Sequence, residues 1–415
     1  MKVLVTGAAG FVGRNLSVML GRQNNVEITG YDLGDPRSVF DEGLKTSDVV
    51  FHLAGVNRPE KPEDYAAGNA GFTREICDTL RDLDRKPLII LSSSIQATLE
   101  NPYGISKRDA ENALLEFSKE TGASVVIFRM KNVFGKWCRP NYNSAVATFC
   151  HNIARGLPIT VSNRDNEVNL VYIDDVCAAM MEAAGIISPP HQHYVPTAGN
   201  AMADIVPSFK ITLGELVDTI TGFKETRLTL RVPAFNDPFT YRLYATYLSY
   251  LEESNFAYGL DIKTDERGSL AEFLKSPSFG QIFVSRTKPG ITRGNHYHHT
   301  KTEKFMVVEG EAIVRFRKIG IKSDELRVIS EKLQAMSSKF EVQGSEFKVQ
   351  SSRFKVQSSE DIIEYRVSGK EFRVVDIPPG YTHSIENVGP GELVTLFWAN
   401  QVFDPQAPDT WFEVV

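Results

Sequence analysis

The chain has 415 residues, 42% of them apolar and 24% charged; this is more than one hydrophobic core usually organises, and the composition excludes collagenous, coiled-coil and wholly disordered classes. Forty-six Lys and Arg against 52 Asp and Glu leave a formal charge of −6, so no basic field draws in nucleic acid or an anionic membrane surface, and neither is expected as a partner. Four scattered cysteines, an N-terminal apolar run too short for a secretion signal and no stretch near the ~20 residues that span a bilayer lead us to expect a cytoplasmic protein without disulfides.

In chain order, the runs at 2–6, 26–31, 48–54, 87–92 and 124–128 are short, apolar and separated by segments of helical period, beginning with 13–20. Buried strands alternating with helices predict an α/β fold, a doubly wound parallel sheet covered on both faces. After about 245 the texture changes: 281–285, 304–308, 312–316, 372–377 and 393–398 are short strand patterns with turn signals, which predict an all-β sandwich or small barrel. The expected domains are therefore 1–245 and 246–415, with the junction in the Tyr- and Leu-rich stretch 240–254. A seven-residue unit beginning at Ser338, Ser345 and Ser352 repeats three times, marking an insert over about 320–358 with no assigned chemistry.

Gly7, Gly10 and Gly13 follow the first strand and open a helix, where bare backbone amides can approach a pyrophosphate at a helix N-terminus. Asp32 ends the second strand about 20 residues on, where a carboxylate accepts from a ribose hydroxyl and repels a 2′-phosphate. That residue favours NADH, while Arg14 or Arg37 would reverse the preference. Ser92, Ser93 and Ser94 end a strand, and Tyr103 and Lys107, four apart, share one helix face, so the ammonium can lower the phenol pKa and a nearby hydroxyl can bond a carbonyl oxygen. Over about residues 1–245 these segments, with FHLAG at 51–55, Asn69 and the turn 132–135, resemble the extended short-chain dehydrogenase/reductase family. The resemblance implies Tyr103 as catalytic acid/base, Lys107 as its partner and Ser94 as carbonyl orienter, with Ser92 or Ser93 as alternatives because Ser94 lies closer to Tyr103 than is usual. It also implies that Gly7, Gly10, Phe11, Val12, Gly13, Leu53, Ala54 and Gly55 line the cofactor, and that Asn132 lies beside a sugar. We assign NADPH, with NADH as the alternative that Asp32 supports. Lys136, Arg139 and Arg155 are the candidate partners of substrate phosphates.

His296 and His298 alternate along one strand, Glu303 opens the next, and His383 follows a Pro-Pro-Gly turn. Three imidazoles and a carboxylate suit a divalent metal, zinc first among Zn, Fe, Mn and Ni. These lines resemble the cupin fold, although Phe372 stands where that pattern has glycine. The turn 292–296 is also similar to sugar-nucleotide epimerases that use its histidine as a base, which leaves two roles open for His296. The joined halves resemble the bifunctional capsular-polysaccharide enzymes. That likeness implies C3 epimerisation of a UDP-2-acetamido-2,6-dideoxy-4-hexulose in the cupin, then NAD(P)H-dependent reduction of the C4 ketone, in a homodimer. The alternatives are a cupin acting as 3,4-ketoisomerase or structural module, and a dinucleotide-sensing binding protein, a role with no use for the Tyr103 proton donor.

Overall fold

The computed structural model describes residues 1–188, 192–196, 201–319, 362–406 and 408–415; the expected repeat insert lies outside them. The described chain divides into two compact units, Met1–Lys224 with Phe235–Ala257 and Glu225–Ala234 with Tyr258–Val415. Residue 245, the expected boundary, falls within the helix Pro238–Leu248, whose Leu243 and Tyr247 are buried in a core of the first unit.

In that unit β1 (Lys2–Thr6), β2 (Glu27–Tyr31), β3 (Val49–His52), β4 (Leu88–Ser94) and β5 (Val125–Met130) are parallel. They lie in the order β2-β1-β3-β4-β5 within a seven-stranded sheet that Met202–Ile205 and Tyr194–Pro196 complete, the last antiparallel. Successive residues of a strand point to opposite faces, and both faces here are covered. Val3, Val5 and Phe51 pack with Leu16 and Leu20 of the helix Phe11–Leu20 and Met180 of Ile173–Ala183. Leu4, Val50 and Ile89 pack instead with Phe40, Leu80 and Phe117. Burial on two faces is why these strands read as unbroken apolar runs. Strand order reverses between β1 and β3, and in such sheets the crevice beyond the strands' carboxyl ends is the ligand site.

The second unit has two antiparallel sheets. One carries Ile262–Asp265, Gly268–Ser276, Gly280–Thr287, Leu393–Ala399, Glu303–Glu309 and Val374–Ile377; the other carries Ile363–Ser368, Glu311–Lys318, Tyr381–Asn387, Thr292–Tyr297 and Trp411–Phe412. Phe305, Val314, Ile385 and Phe397 form part of their shared core, and strict alternation of burial along Leu393–Ala399 shows the period that produces it. The strand expected from Phe372 begins at Val374. Phe372 is exposed and has a φ of 47°, the left-handed backbone that glycine adopts without strain.

Candidate active site and metal centre

The first site opens at the carboxyl ends of β1, β3 and β4, in a cavity of about 500 Å³. Gly7 has a φ of 72°, and a Cβ there would lie 2.7 Å from the backbone nitrogen of Ala54; a Cβ on Gly13 would lie 2.0 Å from the Gly7 carbonyl. Bare backbone is thus required where the turn crosses β3 and enters the first helix, and this leaves amides facing the cavity. Gly10, Phe11, Val12, Leu53 and Gly55 line the same space, while Ala54 packs behind Gly7. The Asp32 carboxylate accepts from the Ala9 amide at 2.8 Å, seating it against the glycine turn.

Helix Pro102–Thr121 brings Tyr103 to this cavity and carries Lys107 behind it. Asn101 caps it by accepting from Gly104 N at 2.7 Å, and Pro102 opens it with the φ a first helical turn needs. Tyr103 faces Ser94; burial pushes its phenol up and the Ser94 hydrogen bond opposes that shift. Lys107 is buried one turn on and donates to the Ser92 carbonyl at 2.8 Å. Burial lowers its ammonium to about 8, with Glu111 acting the other way. The three serines separate in role: Ser94 meets Tyr103, Ser93 donates to the buried carboxylate of Glu111 at 2.5 Å, and Ser92 supplies the carbonyl that holds Lys107. Asn69, inside the π-helical turn Ala66–Gly71, accepts from Val56 N and donates to Ser106 Oγ, fixing the wall below Gly55.

Asn132 and Arg139 line the cavity. Lys136 instead pairs with Asp174, and Arg155 is held by the Tyr250 carbonyl and Glu252. Arg58, which sequence reasoning missed, also lines the cavity, and Arg58 and Arg139 lie 5.6 and 5.0 Å from the Tyr142 ring. No motif signals Arg58; only the fold brings it beside residue 142.

In the second unit one ligand-type atom from each of His296, His298, Glu303 and His383 lies within 4.8 Å of the others. The Nε2 atoms of His298 and His383 are buried without a hydrogen-bond partner, 3.4 and 3.5 Å from Glu303 Oε2. Buried orphan lone pairs beside a carboxylate fit a divalent cation, and the donor set is that of zinc and its neighbours. Burial pushes the Glu303 carboxyl up, and His298, His383 and the Lys301 ammonium outweigh it, leaving it well below the usual range. Burial, then His383 and His298, lowers His296 to about 4, so its imidazole is neutral near pH 7. An adjoining cavity of about 360 Å³ is lined by His296 and Glu303 together with Arg267, Arg293 and Lys301.

Residues 3–194 match the NAD dependent epimerase/dehydratase family, and 263–341 and 337–411 match the polysaccharide biosynthesis C-terminal domain. The UDP-2-acetamido-2,6-beta-L-arabino-hexul-4-ose reductase of Pseudomonas aeruginosa is 40% identical over 413 residues, covering 99% of this chain and 98% of that protein. The capsular polysaccharide assembling protein CapF of Staphylococcus aureus has a TM-score of 0.83 at 41% identity, with 100% of both chains covered. CapF with the inhibitor 3-isopropenyl-tropolone gives 0.78 at 38%, again over 100% of both chains. With its glycine turn and Tyr/Lys pair in one unit and its His/Glu cluster in the other, the chain belongs to the CapF-type family, in which an NAD dependent epimerase/dehydratase domain precedes a polysaccharide biosynthesis C-terminal domain.

Proposed function

We propose that the chain is a nucleotide-sugar oxidoreductase of capsule or surface polysaccharide synthesis that acts twice on one UDP-2-acetamido-2,6-dideoxy-4-hexulose. The β unit, a cupin by its motifs, inverts C3, and the α/β unit then reduces the C4 ketone, toward UDP-N-acetyl-L-fucosamine. The observation that carries the reading is the convergence of Tyr103 and Ser94 on the cavity that the glycine turn opens, with Lys107 buried one turn behind Tyr103 and held by the Ser92 carbonyl. A nicotinamide dinucleotide supplies the hydride when bound. Ser94 and Tyr103 bond the ketone oxygen, and the Tyr103 phenol, kept protonated by burial, gives that oxygen its proton as the alkoxide forms. Lys107 orients the pair and reprotonates the phenolate. Arg58 and Arg139, at the same cavity, suit the pyrophosphate of the sugar nucleotide. Asp32 on the glycine turn, with Arg37 engaged by Asp41 and Glu75 and Arg14 stacked on Trp137, supports NADH over the NADPH assigned from sequence.

In the β unit His296, His298, Glu303 and His383 would hold a divalent metal, which as a Lewis acid would stabilise the enolate that forms when a proton leaves the carbon beside a ketone. Epimerisation comes first, since an alcohol at C4 abolishes that acidity.

The test is the UDP-4-keto sugar in deuterated buffer, with NADH and NADPH compared. Tyr103→Phe is expected to lower cofactor oxidation by about 100-fold or more while deuterium still enters C3. His298→Ala should abolish exchange at C3 and leave reduction of the pre-epimerised sugar intact. Loss of both activities in either variant would refute the division of labour.

A further inference from the structure

We infer that Asp409 is the positioning residue of the His/Glu centre, its carboxylate and its carbonyl together setting both the tautomer of His298 and the turn that leads to Glu303. This rests on the reading that His296, His298, Glu303 and His383 hold a divalent metal. The turn joining the strands Thr292–Tyr297 and Glu303–Glu309 carries backbone amides outside the sheet ladders, and such groups need partners. Asp409 supplies them: its carboxylate accepts from the backbone N–H of His299, Thr300 and Lys301 at 2.9, 2.7 and 2.9 Å, and from the Thr300 hydroxyl at 3.0 Å. Three successive amides converging on one anion form an anion-binding concavity. The Asp409 carbonyl accepts from Nδ1–H of His298, so Nε2 carries the lone pair and faces the cluster. Hydrogen bonds of this kind set ligand orientation and basicity at metal sites. At the end of the same turn, Lys301 donates to Glu303 Oε1 at 2.7 Å. Asp409 is itself held in place because Trp411 and Phe412 pair with Tyr297 and His296. One residue at the far end of the chain therefore fixes two of the four candidate ligands.

The experiment is zinc affinity and zinc release rate of the full chain, read by competition with a chromogenic chelator near pH 7. Asp409→Ala is expected to bind zinc about 10- to 100-fold more weakly and to release it faster. Asp409→Asn, which keeps an acceptor oxygen but not the charge, should fall between that variant and wild type. The circular dichroism spectrum of the metal-free full chain serves as the control for an intact fold of both units. Zinc affinity within twofold of wild type in Asp409→Ala overturns the inference, even if the metal-free variant melts earlier. If the alanine variant is insoluble, Asp409→Asn decides by the same twofold criterion. A wild-type chain that takes up no zinc overturns the metal reading and this inference together, whereas zinc uptake indifferent to Asp409 overturns only the inference.

Discussion

At Lys107 burial moves the point at which charge is lost from 10.5 to about 8, while Tyr103 is moved upward and keeps its proton. Raising the pH through about 8 therefore neutralises the ammonium before it touches the phenol. The rate of ketone reduction is expected to fall across that window as a single deprotonation, and a profile flat to about pH 10 would contradict the assignment. The stability term has the opposite sign. Between about 8 and 10.5 the unfolded chain binds more protons at this site than the folded one, so this group's contribution to stability rises with pH there. Phe372 offers a second residue-scale test. Its φ of 47° costs a side-chain-bearing residue about 1–2 kcal/mol, and its exposed ring returns little packing. Phe372→Gly is expected to stabilise the β unit by about 0.5–1 kcal/mol, the gain being trimmed by glycine's larger unfolded-state entropy; denaturant midpoints will show it.

The helix Pro102–Thr121 does at the scale of an element what neither residue does alone. Lys107 and Glu111 lie one turn apart on its buried face. Glu111 accepts from Ser93 of β4 and from Arg129 of β5, at 2.5 Å and at 2.9 and 2.6 Å. The helix carrying Tyr103 and Lys107 is thereby tied to the strand end whose neighbours, Ser92 and Ser94, touch those two residues. Glu111→Ala leaves Ser93 and a partly exposed guanidinium without their acceptor, and is expected to cost the α/β unit about 3 kcal/mol, read from the urea midpoint at unchanged slope. Glu111→Gln, which keeps the shape, should cost less. The Tyr-to-Lys spacing shows this helix in the sequence, but the assignment of the three serines is not visible there. Adjacent serines look alike until the register of β4 against β5 and the helix decides which hydroxyl faces Glu111 and which faces Tyr103.

For the molecule as a whole, two units with separate cores predict separable responses. A ligand bound only to the folded state stabilises by about 2.7 kcal/mol at a hundredfold excess over its Kd. On the proposed reading that the His/Glu cluster holds a metal, a chelator is therefore expected to lower the melting transition of the β unit, leaving that of the α/β unit and its affinity for a nicotinamide dinucleotide in place; calorimetry of the full chain with and without chelator checks this. One transition shifting as a block would show that the units do not unfold independently. Among the described residues no helix is long and apolar enough to cross a membrane.

The sequence by itself determined the α/β and β halves, the glycine turn, the Tyr103/Lys107 pair and the four candidate metal ligands. Each is read from short segments: period 2 or 3.6, bare backbone at a tight turn, His296 and His298 two residues apart, Glu303 opening the next strand and His383 following a Pro-Pro-Gly turn, although the strand itself ends at Tyr297, one residue before His298. Only the tertiary structure decided which serine meets Tyr103, that Lys136 is taken by Asp174 while Arg58 reaches the cavity, and that Asp409 holds a turn more than a hundred residues away. Those pairings join segments far apart along the chain. Partner choice there is set by strand register, the direction of side chains and competition for a buried charge, and none of these leaves a trace in the neighbouring residues.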